Sequence, residues 1–152
     1  MSTTLERDPS CIFCKIVAGD VPSYRVAEDD ETLAFMDIFP VSAGHTLIIP
    51  KAHHENLYEL TVVRAESVAA MAKRVADAIR SAFAPAGLMV FQLNGVAAGQ
   101  TVFHYHMHLL PRREDEPLAL HTRIPGDPAR LAEQAQSLAA ALAAKATTAT
   151  GR

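Results

Sequence analysis

HYHMHLLPR, residues 104–112, sets His104, His106 and His108 at every second position, with Tyr105, Met107 and Leu109 filling the alternate ones. Successive side chains of a strand point to opposite faces. The spacing therefore predicts a strand over about 102–111 with three imidazoles on one face and an apolar row on the other, packed under a helix. Neighbours on the histidine face would stand ~6.6 Å apart, two rises of a strand. The chain has seven histidines in 152 residues, and a face that needed only solvation could carry serine or threonine instead. Two chemistries use such a row. Two histidines can share one metal ion, and a neutral imidazole can attack phosphorus while its neighbours hold the charged oxygens. A third reading divides the row between both.

Working outward, LMVFQLN (88–94) predicts the strand before it, joined through the glycine-bearing loop GVAAGQ (95–100) as a hairpin. Upstream, YRVAED (24–29), TLAFMD (32–37) and GHTLIIP (44–50) predict three more strands. From Val62 to Phe83 the apolar residues Val68, Met71, Val75, Ile79 and Phe83 fall at steps of three and four, one face of a helix that PAG (85–87) ends. A second helix is expected over 129–146. The order β-β-β-α-β-β-α predicts an α+β fold: a largely antiparallel five-stranded sheet with two helices. In domain terms we expect a disordered N-terminus over 1–10, a core over 11–112, a C-terminal loop and helix over 113–146, and a disordered tail over 147–152.

Apolar residues make up 49% of the chain and charged ones 20%, with a net charge of −3. That balance argues against a nucleic-acid binder, which usually carries a basic excess, but leaves small anionic ligands open. Neither a signal peptide nor a membrane span is expected, so the expected location is cytoplasmic. In a reducing compartment, the only two cysteines, Cys11 and Cys14, point to a metal or a redox pair rather than a disulfide. A redox pair would open a helix after a strand, and no strand is expected before CIFC.

The row HYHMHLL matches, at every position, the signature of the histidine triad family, histidine alternating with apolar residues. The similarity extends through CIFCKIVAGDVPSYRVAEDDETLAFMDIFPVSAGHTLIIPKAHHENLYEL and NGVAAGQTVFHYHMHLLPR, and over roughly residues 10–112 the chain resembles the bacterial Hint-like branch. The resemblance implies a nucleotidyl hydrolase or transferase acting on purine nucleoside phosphoramidates or related nucleoside phosphates, with AMP or GMP as the bound nucleotide. His106 would be the nucleophile that forms a nucleotidyl-histidine intermediate. His108 and His45 would hold the phosphate, and Thr101, where the branch commonly has serine, would serve the leaving group. Asn94 and Gln100 match positions lining the phosphate, and Asp37 the carboxylate that accepts from the ribose hydroxyls. Phe13, Ile16, Phe35 and Ile38 match the apolar walls of the base pocket, positions that ordinary core packing would also fill. In zinc-bearing members the matching residues Cys11, Cys14, His53 and His104 hold one structural ion; His54 is the adjacent competitor for His53. Family members pair as homodimers that continue one sheet across the interface.

Two other readings stand beside this one. A dinucleoside polyphosphate hydrolase would keep all three histidines but generally lacks the cysteine pair. A zinc-stabilised nucleotide-binding module would carry the same scaffold with incidental turnover, and the full set His45, Thr101, His106 and His108 argues against it. His121 is expected only to be solvated.

Overall fold

The computed structural model describes residues 6–117 and 124–149, the side chains of 147–149 excepted. Residues 1–5 of the expected frayed terminus, positions 118–123 with His121, and 150–152 of the expected tail lie outside them. Among the described residues the order is α1 (Ile12–Ala18), β1 (Arg25–Glu28), β2 (Thr32–Met36), β3 (Thr46–Pro50), α2 (Val62–Phe83), β4 (Gly87–Gln92), a 3₁₀ turn (Val96–Ala98), β5 (Met107–Arg112) and α3 (Pro128–Ala149). The strands form one antiparallel five-stranded sheet in the order β1-β2-β3-β5-β4. The α+β fold is as expected, but there are three helices rather than two. The unexpected one, α1, has only seven residues, too few to show an amphipathic period. It is set instead by its ends: the Cys11 thiol accepts from Cys14 N–H at the N-cap, and Gly19 closes it at φ +83°. α3 also runs three residues past its expected end, into the stretch assigned to the tail.

α2 has the predicted bounds. The Thr61 hydroxyl accepts from Arg64 N–H at its start, and Ala84 ends it in the left-handed region just before Pro85. Its buried face (Val68, Met71, Val75, Ile79) joins Leu131, Ala135 and Leu138 of α3 and packs on Ala34, Met36, Ile48 and Leu109 of the sheet. The opposite face carries a smaller core, where Phe13 and Ile16 of α1 meet Leu33, Phe35, Leu47 and Ile49. The register draws one row across this second face: Phe35 opposite Leu47, Leu47 opposite His108, and His108 opposite Phe91. That row places the chemistry on the side away from the two long helices.

The histidine strand is shorter than expected. Ladder pairing starts at Met107, so only His108 lies within β5, while His104 and His106 sit in its lead-in. The cause is a change of partner. Tyr105 N–H donates to His54 O at 2.7 Å, outside the sheet ladder, although Tyr105 still turns into the helix-side core as the alternation requires. Gly44 sets up the facing strand at φ +87°, where an added Cβ would meet the Phe83 ring at 3.0 Å and Pro111 at 3.2 Å. Among the described residues no helix is long and apolar enough to cross a membrane.

Ile79 is fully buried in the larger core. Ile79→Ala should lower unfolding free energy by ~2–5 kcal/mol, read as a lower denaturant midpoint. Lys73→Ala, on an exposed ion pair with Asp77, should stay within ~0.5 kcal/mol of the parent. Equal midpoints for the two variants would contradict this core.

Candidate active site

The Cys–His cluster is assembled from three places in the chain. The first turn of α1 presents Cys11 and Cys14, the loop after β3 presents His53, and the lead-in to β5 presents His104. Cys11 Sγ lies 3.4 Å from His104 Nδ1, Cys14 Sγ 3.6 Å from the same nitrogen, and Cys14 Sγ 3.4 Å from His53 Nδ1. All four donor atoms fall within 4.8 Å of one another. His104 Nε2 is 2.8 Å from Pro50 O. A carbonyl only accepts, so Nε2 carries the proton and Nδ1 turns its lone pair to the thiols. His53 Nε2 lies 3.9 Å from the Asp8 carboxylate, an outer partner for the ring. His54 is directed elsewhere, its Nε2 accepting from the Arg64 guanidinium at 2.8 Å. Burial pushes the Cys14 thiol up to about 11, and it pushes His104 down to about 4 against the bond to Pro50.

Beside this cluster His106 is fixed in the other tautomer. Its Nδ1 donates to His104 O at 2.7 Å, so a neutral ring leaves Nε2 with a free lone pair. Burial lowers its pKa, the bond to His104 O opposing, and the ring stays neutral near pH 7. Phe13 of α1 stands edge-on to both His106 (5.2 Å, 89°) and His104 (5.8 Å, 68°), linking the two centres.

His45, just before β3, meets His108 of β5, with His45 Nε2 lying 3.0 Å from His108 Nδ1. Val41 N–H donates to His45 Nδ1 at 3.2 Å, so the proton of the neutral His45 ring is on Nε2. That N–H reaches His108 Nδ1, with Asp37 Oδ2 a second neighbour at 3.5 Å. His108 is thereby left with its own proton on Nε2, as a donor. The donor atoms of Asp37, His45 and His108 are close enough together for a metal ion. Yet a neutral His45 that accepts from Val41 has no second lone pair to give one, and the bond between the two rings orders their protons instead.

The remaining expected residues divide. Thr101 is exposed within the segment between β4 and β5, just after the 3₁₀ turn. Asn94 Oδ1 accepts from Leu57 N–H, and its amide exchanges two 2.7 Å bonds with Gln92. Gln100, expected to line the phosphate, is 4% exposed with its amide engaged within the protein. Oε1 accepts from Gly95 N–H, while Nε2 donates to Glu55 O and Val102 O. It ties down the loop that carries Thr101. Asp37 Oδ1 accepts from Phe39 N–H. Of the four apolar base-pocket candidates, Phe13, Ile16 and Phe35 are buried in the smaller core, and Ile38 alone is open, at 51% exposed. Two residues were missed. Phe91 stacks on His108 and Gln92 braces Asn94. Within LMVFQLN both look like ordinary strand positions; the cross-strand register reveals Phe91, and the side-chain bonds to Asn94 reveal Gln92.

A family model described as the HIT domain matches residues 18–115. Protein hit of Bacillus subtilis is 54% identical over 103 residues, covering 68% of this chain and 71% of that protein. Adenosine 5′-monophosphoramidase hnt1 of Schizosaccharomyces pombe is 43% identical over 107 residues, 70% of this chain and 77% of that protein. The crystal structure of a zinc-bound histidine triad family protein from Mycobacterium smegmatis superposes with a TM-score of 0.82 at 39% identity, covering 91% of this chain and 97% of that one. With His108 set against His45, a family model over most of its length and relatives of this identity, the chain belongs to the HIT domain family.

Proposed function

We propose that the chain hydrolyses purine nucleoside phosphoramidates, or related nucleoside phosphates, at the α-phosphorus. The observation that carries this reading is the His106 tautomer: Nδ1–H bound to His104 O, Nε2 bare in a neutral ring. Nε2 attacks phosphorus, a P–N bond to His106 forms, and the bond to the leaving amine or oxygen breaks as that atom takes a proton. Water then attacks the nucleotidyl-histidine, releasing the nucleoside monophosphate and restoring His106. Two displacements with a good in-line nucleophile replace one difficult attack by water. His108 Nε2–H, held as a donor by His45, hydrogen-bonds the phosphate oxygens as charge builds there. The Thr101 hydroxyl delivers the proton to the leaving group. Asp37 Oδ2 accepts from the ribose hydroxyls, and Ile38 offers the base an exposed apolar contact. The phosphoramidase activity named for the fission yeast relative supports this choice of substrate class.

His106→Ala should abolish release of AMP from a fluorogenic adenosine phosphoramidate, while AMP affinity by calorimetry changes no more than about tenfold, ~1.4 kcal/mol. Similar turnover by variant and parent would sink the mechanism.

Cys11, Cys14, His53 and His104 fit a structural zinc. A tetrahedral ion with Zn–S of ~2.3 Å and Zn–N of ~2.0–2.1 Å requires S···N edges of ~3.5 Å, and the three S···N separations here are 3.4, 3.4 and 3.6 Å. The zinc-bound relative from Mycobacterium smegmatis supports the choice of ion. Zinc would hold both sulfurs as thiolates against the burial that raises Cys14. Four protein ligands leave no position for substrate, so the ion's work is to fasten α1 to the loop after β3 and to the lead-in of β5. Metal analysis should find one zinc per chain. Cys11→Ser with Cys14→Ser should lose it and lower the melting temperature, yet retain phosphoramidase activity in the cold. A folded double variant still holding one zinc per chain would rule out this ligand set.

We also read the protein as a cytoplasmic homodimer that pairs through β4, the sheet edge on which Val90 is 52% exposed. Light scattering at micromolar concentration should report about twice the 16.4 kDa chain mass; a mass near 16.4 kDa would contradict the pairing.

A further inference from the structure

Phe91 is the only aromatic residue of β4, and the register sets it directly opposite His108. Its ring lies flat on that imidazole, with centroids 4.4 Å apart and planes 7° from parallel. The other rings around His108 are tilted to it, His45 at 5.3 Å and 42°, His106 at 4.8 Å and 59°. Leu47 flanks His108 from the β3 side. Phe91, unlike His45 and His106, meets the imidazole face to face.

The hydrogen bond from His45 holds one atom of the His108 ring, Nδ1. It does not hold the plane. Rotation of histidine about Cβ–Cγ is broad, and a hydrogen bond keeps most of its strength over a wide range of donor angles. Tilting the ring about that anchor would sweep Nε2–H away from a phosphate seated at His106. A parallel aromatic face resists the tilt, because any rotation of His108 either opens the contact or drives the ring edge into Phe91. An aliphatic side chain of similar bulk would fill the same space without fixing a plane.

We propose that Phe91 is a positioning residue: acting through His108, it fixes the imidazole plane so that Nε2–H stays aimed at the phosphate oxygens beside His106. The inference rests on the phosphate-holding role proposed for His108. It gives the edge strand a part in the reaction through the ring of His108. Misplacing a catalytic group by ~1 Å can cost ~10²-fold in rate, so a ring allowed to tilt by less should cost about tenfold.

The test is a double-mutant cycle on the zinc-loaded full chain, read in both AMP affinity and phosphoramidate turnover. Phe91→Leu should lower kcat about tenfold with a smaller change in KM, and weaken AMP severalfold. Phe91→Tyr, which keeps a flat ring, should stay within about twofold of the parent. In a His108→Ala background Phe91→Leu should cost less than about twofold, because the group it positions is gone. The proposal is overturned if Phe91→Leu leaves kcat and AMP affinity at parental values, or costs the same tenfold without His108. It is equally overturned if Phe91→Tyr fails to recover activity and the losses simply follow a lowered melting temperature. Should the parent fail to turn over, the proposed hydrolysis falls on its own, and the cycle in AMP affinity still decides the role of Phe91.

Discussion

The site depends on how four buried imidazoles satisfy their nitrogens. His45, His104, His106 and His108 are each less than 9% exposed, and an unpaired ring nitrogen at such positions costs free energy. In three of them one nitrogen is committed to the main chain: His104 to Pro50 O, His106 to His104 O, and His45 to Val41 N–H. His108 takes its tautomer from His45. Each commitment fixes which nitrogen carries a proton, and so which atom of the ring is left to a neighbour: the thiols for His104, and a bare Nε2 for His106. The main-chain partners lie at the end of β3, in the turn before it and in the lead-in to β5. Strand pairing is thereby converted into proton placement.

The smaller core transmits that order to the N-terminal segment. α1 is shorter than an isolated helix can sustain, and it persists by burying Phe13, Cys14 and Ile16 against β2 and β3. The Phe13 ring contacts Phe35, His104 and His106 together, so a shift of α1 would disturb the Cys–His cluster and His106 at once. Arg25 adds a polar tie, donating to Ile16 O at 2.6 Å near the end of the helix. Packing and the Cys–His contacts thus act on the same few residues, which explains how a seven-residue helix and its N-cap can carry two of the four cluster donors.

Much of this was legible in the residues, and the exceptions have physical causes. α2 could be read to its bounds because 22 residues give many turns of periodicity and Pro85 stops the pattern. The five strands were legible from β-branched and alternating runs. The start of β5 was not, because alternation of side chains continues through 104–106 while the hydrogen-bond partner changes from a strand to His54 O. Cys11, Cys14, His53 and His104, grouped by the resemblance, have donor atoms within 4.8 Å of one another; the tautomers of His104 and His106 could not be read at all, since they depend on carbonyls 54 and two positions away in sequence. Gln100 shows what a motif leaves out: the match implies a place lining the phosphate, while the bonds of its amide to Gly95, Glu55 and Val102 appear only in the folded loop.

β5 is where the two faces of the sheet must be reconciled. The larger core holds Tyr105 and Leu109, with Met107 packed against it, while the opposite face holds His106 and His108. Bulk is required on one side and bare nitrogens on the other, at single-residue intervals. A one-residue slip of β5 against β3 would send the imidazoles into the helix-packed core and expose Leu109 to the site. Burying those polar rings against Val68, Met71 and Val75 offers them no acceptor, so the hydrophobic packing of α2 itself guards the register on which the chemistry depends. Apolar residues between the histidines are therefore part of the site's specification, although none of them needs to touch a substrate.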